Sequence, residues 1–249
     1  MQFTQTQTDI KHSSDKWSDS SARISLRAVT GLEVASVITS VLITTWVIIP
    51  LQPNQRWLLA VPGLLALALV INSFRLRGEK LREVGFSFQH FGQAVLLLAL
   101  PTVLFSAIFL SFGYFTQSFH RTSNFWTNVS FLPLWGLTQQ FILQGFIYRR
   151  IRFLFVDEMA AEETQKQRVN FAILATAVIF ALTHVPNPVL TIFTLIGALI
   201  WSWVYERAPN LLALGLSHAM MSLMVMTCLP SWLLPSLSVG YKHFLYQKF

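Results

Sequence analysis

Long apolar runs separated by short polar or charged segments are the dominant pattern along this chain. The runs do not alternate apolar and polar residues, as barrel strands do, and a bilayer core about 30 Å thick needs roughly 20 helical residues. The pattern therefore predicts an all-α, polytopic helical membrane protein with seven to eight transmembrane helices. The seven predicted runs cover residues 29–50, 57–74, 93–115, 128–148, 169–185, 189–205 and 210–229.

Prolines and charged loops between these runs divide the chain into four predicted parts. The first part is a flexible tail, in which an interfacial helix over residues 17–26 is an alternative. The second holds three transmembrane helices and a basic linker, the third holds a core of four, and the last is a short apolar tail or an eighth helix. These parts are residues 1–27, 28–127 with the linker 75–92, 128–229 and 230–249.

Composition and charge support a membrane protein and argue against other classes. Hydrophobic residues make up 53% of the chain, charged residues 12%, and the mean hydropathy is +0.53. The net charge of +7 does not predict a nucleic-acid partner, because the basic residues lie in the loops between apolar runs. Fourteen of them lie on the N-terminal side and two in the opposite loops, which predicts an N-terminus on the cytoplasmic or equivalent inner side. The single cysteine, Cys228, excludes an intramolecular disulfide and a Cys-rich metal site.

Three amide side chains interrupt the fourth apolar run. Gln140 and Gln144 are four residues apart and share one helix face, whereas Gln139 lies about 100° away. An amide in hydrocarbon is costly unless it is hydrogen-bonded, so this face is expected to point into the bundle. Hydrogen bonding between helices explains the three amides, and contact with a ligand or substrate is the alternative.

Two later stretches carry polar groups that could meet these amides. FALTH contains Phe180 and His184, and SHAMMS contains His218 and Ser222. A buried histidine needs hydrogen-bond partners, which favours a site role for His218. His184 lies beside Pro186 at a helix end, where a solvated interfacial ring is an equal alternative. A shared site requires a tilted helix or a membrane-inset helix end, since the topology puts His184 nearer the outer face.

The stretches QQFILQG, FALTH and HAMMS resemble, in order and spacing, three motifs of the CPBP family. That family contains type II CaaX prenyl endopeptidases and Abi bacteriocin-immunity proteins, and its motifs are EExxxR, FxxxH and HxxxN or HxxxD. Gly145 after the first motif and the segment 194–218 are also similar to the family pattern. The similarity covers roughly residues 130–222.

Several motif positions depart from the family. The resemblance implies that the catalytic glutamate corresponds to Gln139, its neighbouring glutamate to Gln140, the arginine to Gln144 and the final asparagine or aspartate to Ser222. The retained positions are Phe180, His184 and His218. In the family, the glutamate and one histidine are thought to activate water, while the second histidine and the asparagine polarise the carbonyl.

These departures predict a loss of hydrolysis. A general base must accept a proton in the transition state, and a neutral amide effectively does not. The acidic residues lie in the tail, in loops or at helix edges, so none is placed to replace the glutamate. Two histidines without a third ligand also fall short of a zinc site, so no metal and no cofactor are predicted.

The sequence therefore predicts a CaaX-protease-like pseudoprotease. Its expected role is to bind a membrane-protein client or peptide segment within the lipid bilayer, as an assembly, scaffold or immunity factor. One alternative is an active intramembrane CaaX-type endopeptidase that relies on His184 and His218, since oxyanion-type stabilisation alone can leave some rate. Another is a tetrapyrrole or metal carrier in which the two histidines are axial ligands.

Overall fold

A computed structural model describes residues 20–51, 56–119, 125–157 and 159–246, and these residues form helices and connecting turns without a strand. The α-helices, numbered in chain order, are α1 Ser20–Leu42, α2 Val61–Leu76, α3 Phe91–Phe115, α4 Phe125–Gln140, α5 Arg149–Phe155, α6 Glu162–Leu182, α7 Pro188–Arg207, α8 Leu211–Cys228 and α9 Tyr241–Tyr246. Two π-helical segments, Ile43–Ile48 and Phe141–Tyr148, continue α1 and α4, and a short 3₁₀ helix, Arg56–Leu59, precedes α2. The predicted all-α class is confirmed.

The helix boundaries follow the apolar runs, with two extensions. α1 begins at Ser20, so the last residues assigned to the tail are helical; the rest of that tail, residues 1–19, lies outside the described residues. α6 begins at Glu162, seven residues before the predicted run, because the charged segment continues the helix. Glu162 and Glu163 lie in its first turn, where acidic side chains stabilise the helix dipole.

Five segments of the described chain are long and apolar enough to cross a membrane: Leu26–Ile48, Trp57–Leu76, Phe91–Phe115, Pro188–Arg207 and Leu211–Cys228. The protein is therefore an integral, multi-pass membrane protein. Two of the seven predicted runs, 128–148 and 169–185, are not among these five segments. α6 opens with charged turns that shorten its apolar part, and α4 ends after 16 residues where the π segment begins. α9 has 6 residues, so the C-terminal tail adds no spanning helix in the described part.

α8 lies at the centre of the site-bearing half of the bundle. It packs against α4 on one side and α3 on another, while α6 packs against α7. Two glycines let α4 and α8 approach closely: a Cβ on Gly136 would lie 2.6 Å from the carbonyl oxygen of Gly215. A Cβ on Gly215 would lie 2.9 Å from the Cα of Leu137. Small residues at such crossings are how membrane helices bring their backbones together.

Two asparagines fasten helix starts to distant parts of the chain. Asn187 accepts a hydrogen bond from the Leu190 N–H as the N-cap of α7, and its amide donates to the carbonyls of Ser236 and Ser238. Asn210 is the N-cap of α8, and its side-chain oxygen accepts a hydrogen bond from the Ala213 N–H. Its amide donates to carbonyls of the linker before α3, those of Ser87 and Gln89. The C-terminal segment and the linker are thereby fixed at the two ends of the bundle.

Ion pairs gather around the ends of α2 and α7 and the start of α5. Arg77 pairs with Glu33, Arg149 and Arg150 share Glu79, and Arg152 pairs with Glu206. Arg150 is only 3% exposed, and its guanidinium also lies over two phenylalanine rings. Charged side chains are thus concentrated at one end of the bundle, away from the middle of the apolar helices.

Candidate functional site

The second motif glutamine contacts the histidine of the third motif. The Nε2 atom of Gln140 lies 3.1 Å from Nδ1 of His218, and both side chains are buried at the crossing of α4 and α8. The close approach of Gly136 and Gly215, one turn before each of these residues, lets the short amide side chain reach the imidazole. With the amide nitrogen facing it, Nδ1 is the acceptor and the ring carries its proton on Nε2.

Gln144 forms a second buried link, to α7. Its amide nitrogen donates to the hydroxyl of Ser202 across 2.9 Å, and the side chain is fully buried. Gln144 lies in the π segment Phe141–Tyr148. This helix type is rare in proteins, and where it occurs it is often at a functional site. The expectation that Gln140 and Gln144 share an inward face is thus met by their contacts with two neighbouring helices.

Gln139 lies on a different face. It is half-buried, and its side chain has no hydrogen bond to a described residue. The position to which the resemblance assigns the catalytic glutamate is therefore beside the Gln140–His218 contact and not part of it. The angular separation of about 100° between neighbouring helical residues accounts for this difference.

Aromatic rings enclose His218. The indole of Trp201 stacks on the imidazole with centroids 4.4 Å apart and an interplanar angle of 16°. Phe180 meets the same imidazole edge-on at 6.2 Å. Trp201 is itself oriented by its indole N–H, which donates to the Ser217 hydroxyl, and Ser217 shares a hydrogen bond with Thr102 of α3. The ring of His218 is therefore held on three sides by α4, α6 and α7.

Phe180 also links the two motif histidines. The ring of His184 packs on Phe180 with centroids 4.7 Å apart, and its Nδ1 lies 2.8 Å from the Phe180 carbonyl oxygen. The two histidines share this phenylalanine, although His184 hydrogen-bonds neither His218 nor Gln140 among the described contacts. The helix end that carries His184 is thus near enough to place both imidazoles around one ring.

The remaining motif positions have other surroundings. Ser222 is half-buried, four residues after His218, and its hydroxyl has no hydrogen bond to a described residue. The linker before α3 packs closely against Gly145. A Cβ on Gly145 would lie 2.8 Å from a methyl group of Val84 in that linker. Neither Ser222 nor Gly145 takes part in the hydrogen bond between Gln140 and His218.

Sequence reasoning missed several residues that surround His218. Trp201, Ser202, Ser217 and Thr102 were not assigned to the site. A hydroxyl in the middle of an apolar helix was the available signal, because such a group needs a partner there. Ser202 lies between two tryptophans in the segment that resembles the family's bridge between motifs.

Among the described residues, no carboxylate takes part in this arrangement of side chains. None of the described acidic side chains is hydrogen-bonded to the motif histidines or glutamines, and three of them pair with arginines at the end of the bundle. The described residues also contain no group of three or more potential metal ligands. The site can therefore donate and accept hydrogen bonds, but it has no anionic base beside its histidines.

An apolar pocket of about 60 Å³ lies next to these residues, between α3, α7 and α8. Trp201 and Ser217 form part of its wall, so the pocket adjoins the groups that orient His218. The rest of the wall is largely apolar, with Phe105, Ile196 and Met221 among its members. The pocket can hold an apolar group close to the site, and its polar contacts are already made within the protein.

The comparison with known families agrees with the motif resemblance. Residues 121–224 match the family described as "Type II CAAX prenyl endopeptidase Rce1-like", and this segment contains all three motifs. The CPBP-family resemblance inferred from the motifs is thereby confirmed. No curated protein and no solved structure matches the chain.

Proposed function

We propose that this chain, which is Rce1-like over residues 121–224, is a CaaX-protease-like membrane protein that does not hydrolyse peptides and instead binds a membrane-protein client. The observation that carries the proposal is the buried hydrogen bond from Gln140 to His218. At that position the family motif has a glutamate, and this chain has a neutral amide that donates to the imidazole. A donated hydrogen bond stabilises the contact but supplies no proton acceptor.

The chemistry of water activation supports the absence of hydrolysis. Taking a proton from water requires a base within hydrogen-bond reach, commonly a carboxylate or a histidine. Nδ1 of His218 accepts from the Gln140 amide, so its proton is on Nε2. Nδ1 of His184 donates to the Phe180 carbonyl, so only the Nε2 atom of His184 keeps a free lone pair, with no carboxylate among the described residues to assist it. Gln139 is also an amide, so both positions of the glutamate pair lack a carboxylate. Two imidazoles without a carboxylate partner form a much weaker general base than a histidine and a glutamate together.

The apolar pocket beside His218 supports a binding role. Its walls come from three helices, and Ser217 links its polar groups by hydrogen bonds to the Thr102 hydroxyl and the Trp201 indole. A side chain from the apolar segment of a client would fill this pocket without leaving a buried polar group unpaired. Binding of this kind requires shape and apolar contact, and it does not require the lost carboxylates.

A cleavage assay tests the catalytic half of the proposal. The purified protein in liposomes is incubated with a farnesylated CaaX peptide, alongside an active type II CaaX endopeptidase as positive control. We expect the wild-type protein to release no more product than its His218→Ala variant. Cleavage by the wild type that disappears in His218→Ala or His184→Ala would overturn the proposal and establish the enzyme alternative.

A co-isolation experiment tests the binding half. Cross-linked partners of the wild type are identified by mass spectrometry and compared with those of Ile196→Trp, which fills the pocket. Ile192→Trp is the matched control, because it adds the same ring one turn earlier on α7, where Ile192 is 56% exposed. We expect one reproducible client that Ile196→Trp loses and Ile192→Trp retains. Recovery of the protein alone, or equal loss in both variants, would contradict a pocket-dependent client.

A further inference from the structure

A second cleft lies at the end of the bundle that carries the ion pairs. Its volume is about 730 Å³, and it opens between the start of α1, the end of α2 and the whole of α5. None of the three motifs contributes to its wall, so it is separate from the site around His218. Five arginines line it: Arg27, Arg77, Arg149, Arg150 and Arg152.

Among the residues that the structure describes, arginines outnumber the carboxylates in and around this cleft. Glu79 and Asp157 line the cleft, and Glu33 and Glu206 pair with two of its arginines. Within the described part of the chain, four carboxylates thus oppose five guanidinium groups. Glu79 forms ion pairs with both Arg149 and Arg150, and Arg27 is exposed. A bound anion would balance this excess charge.

Four of the five arginines, Arg77, Arg149, Arg150 and Arg152, are held by ion pairs within the protein. Arg150 donates to Glu79 and to the Ser73 hydroxyl, and its guanidinium lies 5.3 Å and 5.2 Å from the ring centroids of Phe74 and Phe146. The Nε atom of Arg149 is buried and has no hydrogen-bond partner among the described groups. Planar guanidinium groups fixed in this way suit the oxygens of a phosphate.

Apolar side chains line the same cleft beside the arginines. They are Leu26, Phe153, Val156 and Met159. Met159 is 91% exposed and Phe153 is 40% exposed, at the level where the apolar part of α1 begins. A soluble phosphate would leave these apolar groups in water, whereas a lipid covers them with its acyl chains while its phosphate meets the arginines.

Other basic residues on the same side of the membrane have no comparable setting. Arg75 and Arg82 are exposed and line none of the clefts described above, and Arg207 stacks on Trp203 at 4.0 Å. A general excess of basic residues in the inner loops explains these three. It does not explain why five arginines from three separate elements surround one cleft with apolar walls.

We propose that this cleft binds the phosphate-bearing headgroup of an anionic phospholipid, with the lipid's acyl chains against Leu26, Phe153 and Met159. Basic pockets between transmembrane helices near the inner surface are suited to such headgroups. The bound lipid joins α1, α2 and α5, because its phosphate contacts guanidinium groups from all three. The assignment does not depend on whether the site around His218 binds a client.

Lipid-dependent stability and lipid retention test this assignment. The full-length protein in detergent is titrated with phosphatidylglycerol, phosphatidylcholine or inorganic phosphate, and the melting temperature and the lipid retained in native mass spectra are recorded. We expect phosphatidylglycerol alone to give a saturable rise. The double variant Arg27→Gln/Arg149→Gln should bind it about 30-fold more weakly, because each basic residue near an anionic lipid contributes about fivefold in affinity.

The matched control is Arg75→Gln/Arg82→Gln, which removes the same charge from the same side of the membrane. It should bind phosphatidylglycerol as the wild type does. Equal weakening in both double variants would mean that net charge alone attracts the lipid, and would overturn the site. An equal response to phosphatidylcholine would also overturn it. A response to inorganic phosphate as large as that to phosphatidylglycerol would replace the lipid with a soluble phosphate and overturn the lipid assignment.

Discussion

The side-chain amide of Gln140 donates a hydrogen bond to Nδ1 of His218 across 3.1 Å, inside a bundle that excludes water from both groups. A glutamate at the same position would accept a hydrogen bond from the imidazole. Replacing the carboxylate with an amide therefore reverses the direction of this bond and reverses which partner carries the proton. The contact links α4 and α8, and the amide at this position is a hydrogen-bond donor to the imidazole.

Loss of this link should destabilise the protein. Gln140→Ala leaves Nδ1 of His218 buried without a donor, which we expect to cost about 1–2 kcal/mol in the free energy of unfolding. Gln139→Ala is the matched control, since Gln139 is half-buried and makes no described hydrogen bond; its cost should stay within about 0.5 kcal/mol. Thermal unfolding of both variants in detergent measures the difference. Equal effects would show that the Gln140–His218 bond contributes no more than a general loss of packing.

The glycine contact between α4 and α8 should be equally sensitive. Gly215→Ala places a methyl group 2.9 Å from the Cα of Leu137, a distance that real side chains essentially never show. The helices must separate, at a cost of about 1–3 kcal/mol. Gly31→Ala in α1 is the control, because no atom lies within 4 Å of its added Cβ and alanine favours a helix. Unfolding of the two variants in detergent should show destabilisation only for Gly215→Ala.

The ion pairs at the charged end should make stability depend on pH. Burial raises the pKa of the Glu79 carboxyl, but hydrogen bonds from Arg150 and Arg149 outweigh burial and hold the pKa below its ordinary value of 4.5. A lowered pKa in the folded state stabilises the protein fully above the unfolded value. This stabilisation is lost as the pH falls through the lowered value.

Glu79→Gln tests that dependence. The variant should be less stable than the wild type at neutral pH, because the buried Arg150 loses its nearer carboxylate and keeps only Glu33 at 3.9 Å. The difference should begin to shrink as the pH falls below about 4.5, where the unfolded state takes up the proton. It should disappear once the pH has fallen through the lowered pKa of the folded state, because the wild-type carboxyl is then neutral as well. Melting temperatures between pH 3 and 7 provide the measurement. A difference that is constant across this range would contradict a role for the charge of Glu79.

The two capping asparagines should protect different segments. Asn187→Ala removes the hydrogen bonds to Ser236 and Ser238, so amide exchange should rise in the C-terminal segment. Asn210→Ala should raise it in the linker instead. Both variants also lose an N-cap, worth about 1 kcal/mol. Hydrogen–deuterium exchange with mass spectrometry separates the two outcomes, and each variant is the control for the other; an increase in the same segment in both would contradict the assignment.

Helix placement and the inward amide face could be predicted because both depend on local periodicity. Apolar runs of membrane length located the helices, and the four-residue spacing placed Gln140 and Gln144 on one face. His218, which the motif spacing assigned to a site, is buried in the structure. The boundary of α6 was less accurate, because the charged turn at Glu162 favours a helix without adding hydrophobicity.

The partners of the site residues could not be predicted, because they come from distant parts of the chain. Ser202, which meets Gln144, is separated from it by 58 residues, and His218 is separated from Gln140 by 78. Which amide meets which hydroxyl or imidazole depends on how the helices cross. The glycines at the α4–α8 crossing set that distance.

The sequence by itself determined that this is a helical membrane protein with CPBP-like motifs and amides in place of the glutamates, since composition, periodicity and spacing are properties of the chain alone. Only the tertiary structure decided that Gln140, and not Gln139, reaches His218, and that five arginines from three elements surround one cleft. The physical reason is that side-chain contacts act over a few ångströms. Helix packing brings residues that are far apart in the sequence to that distance.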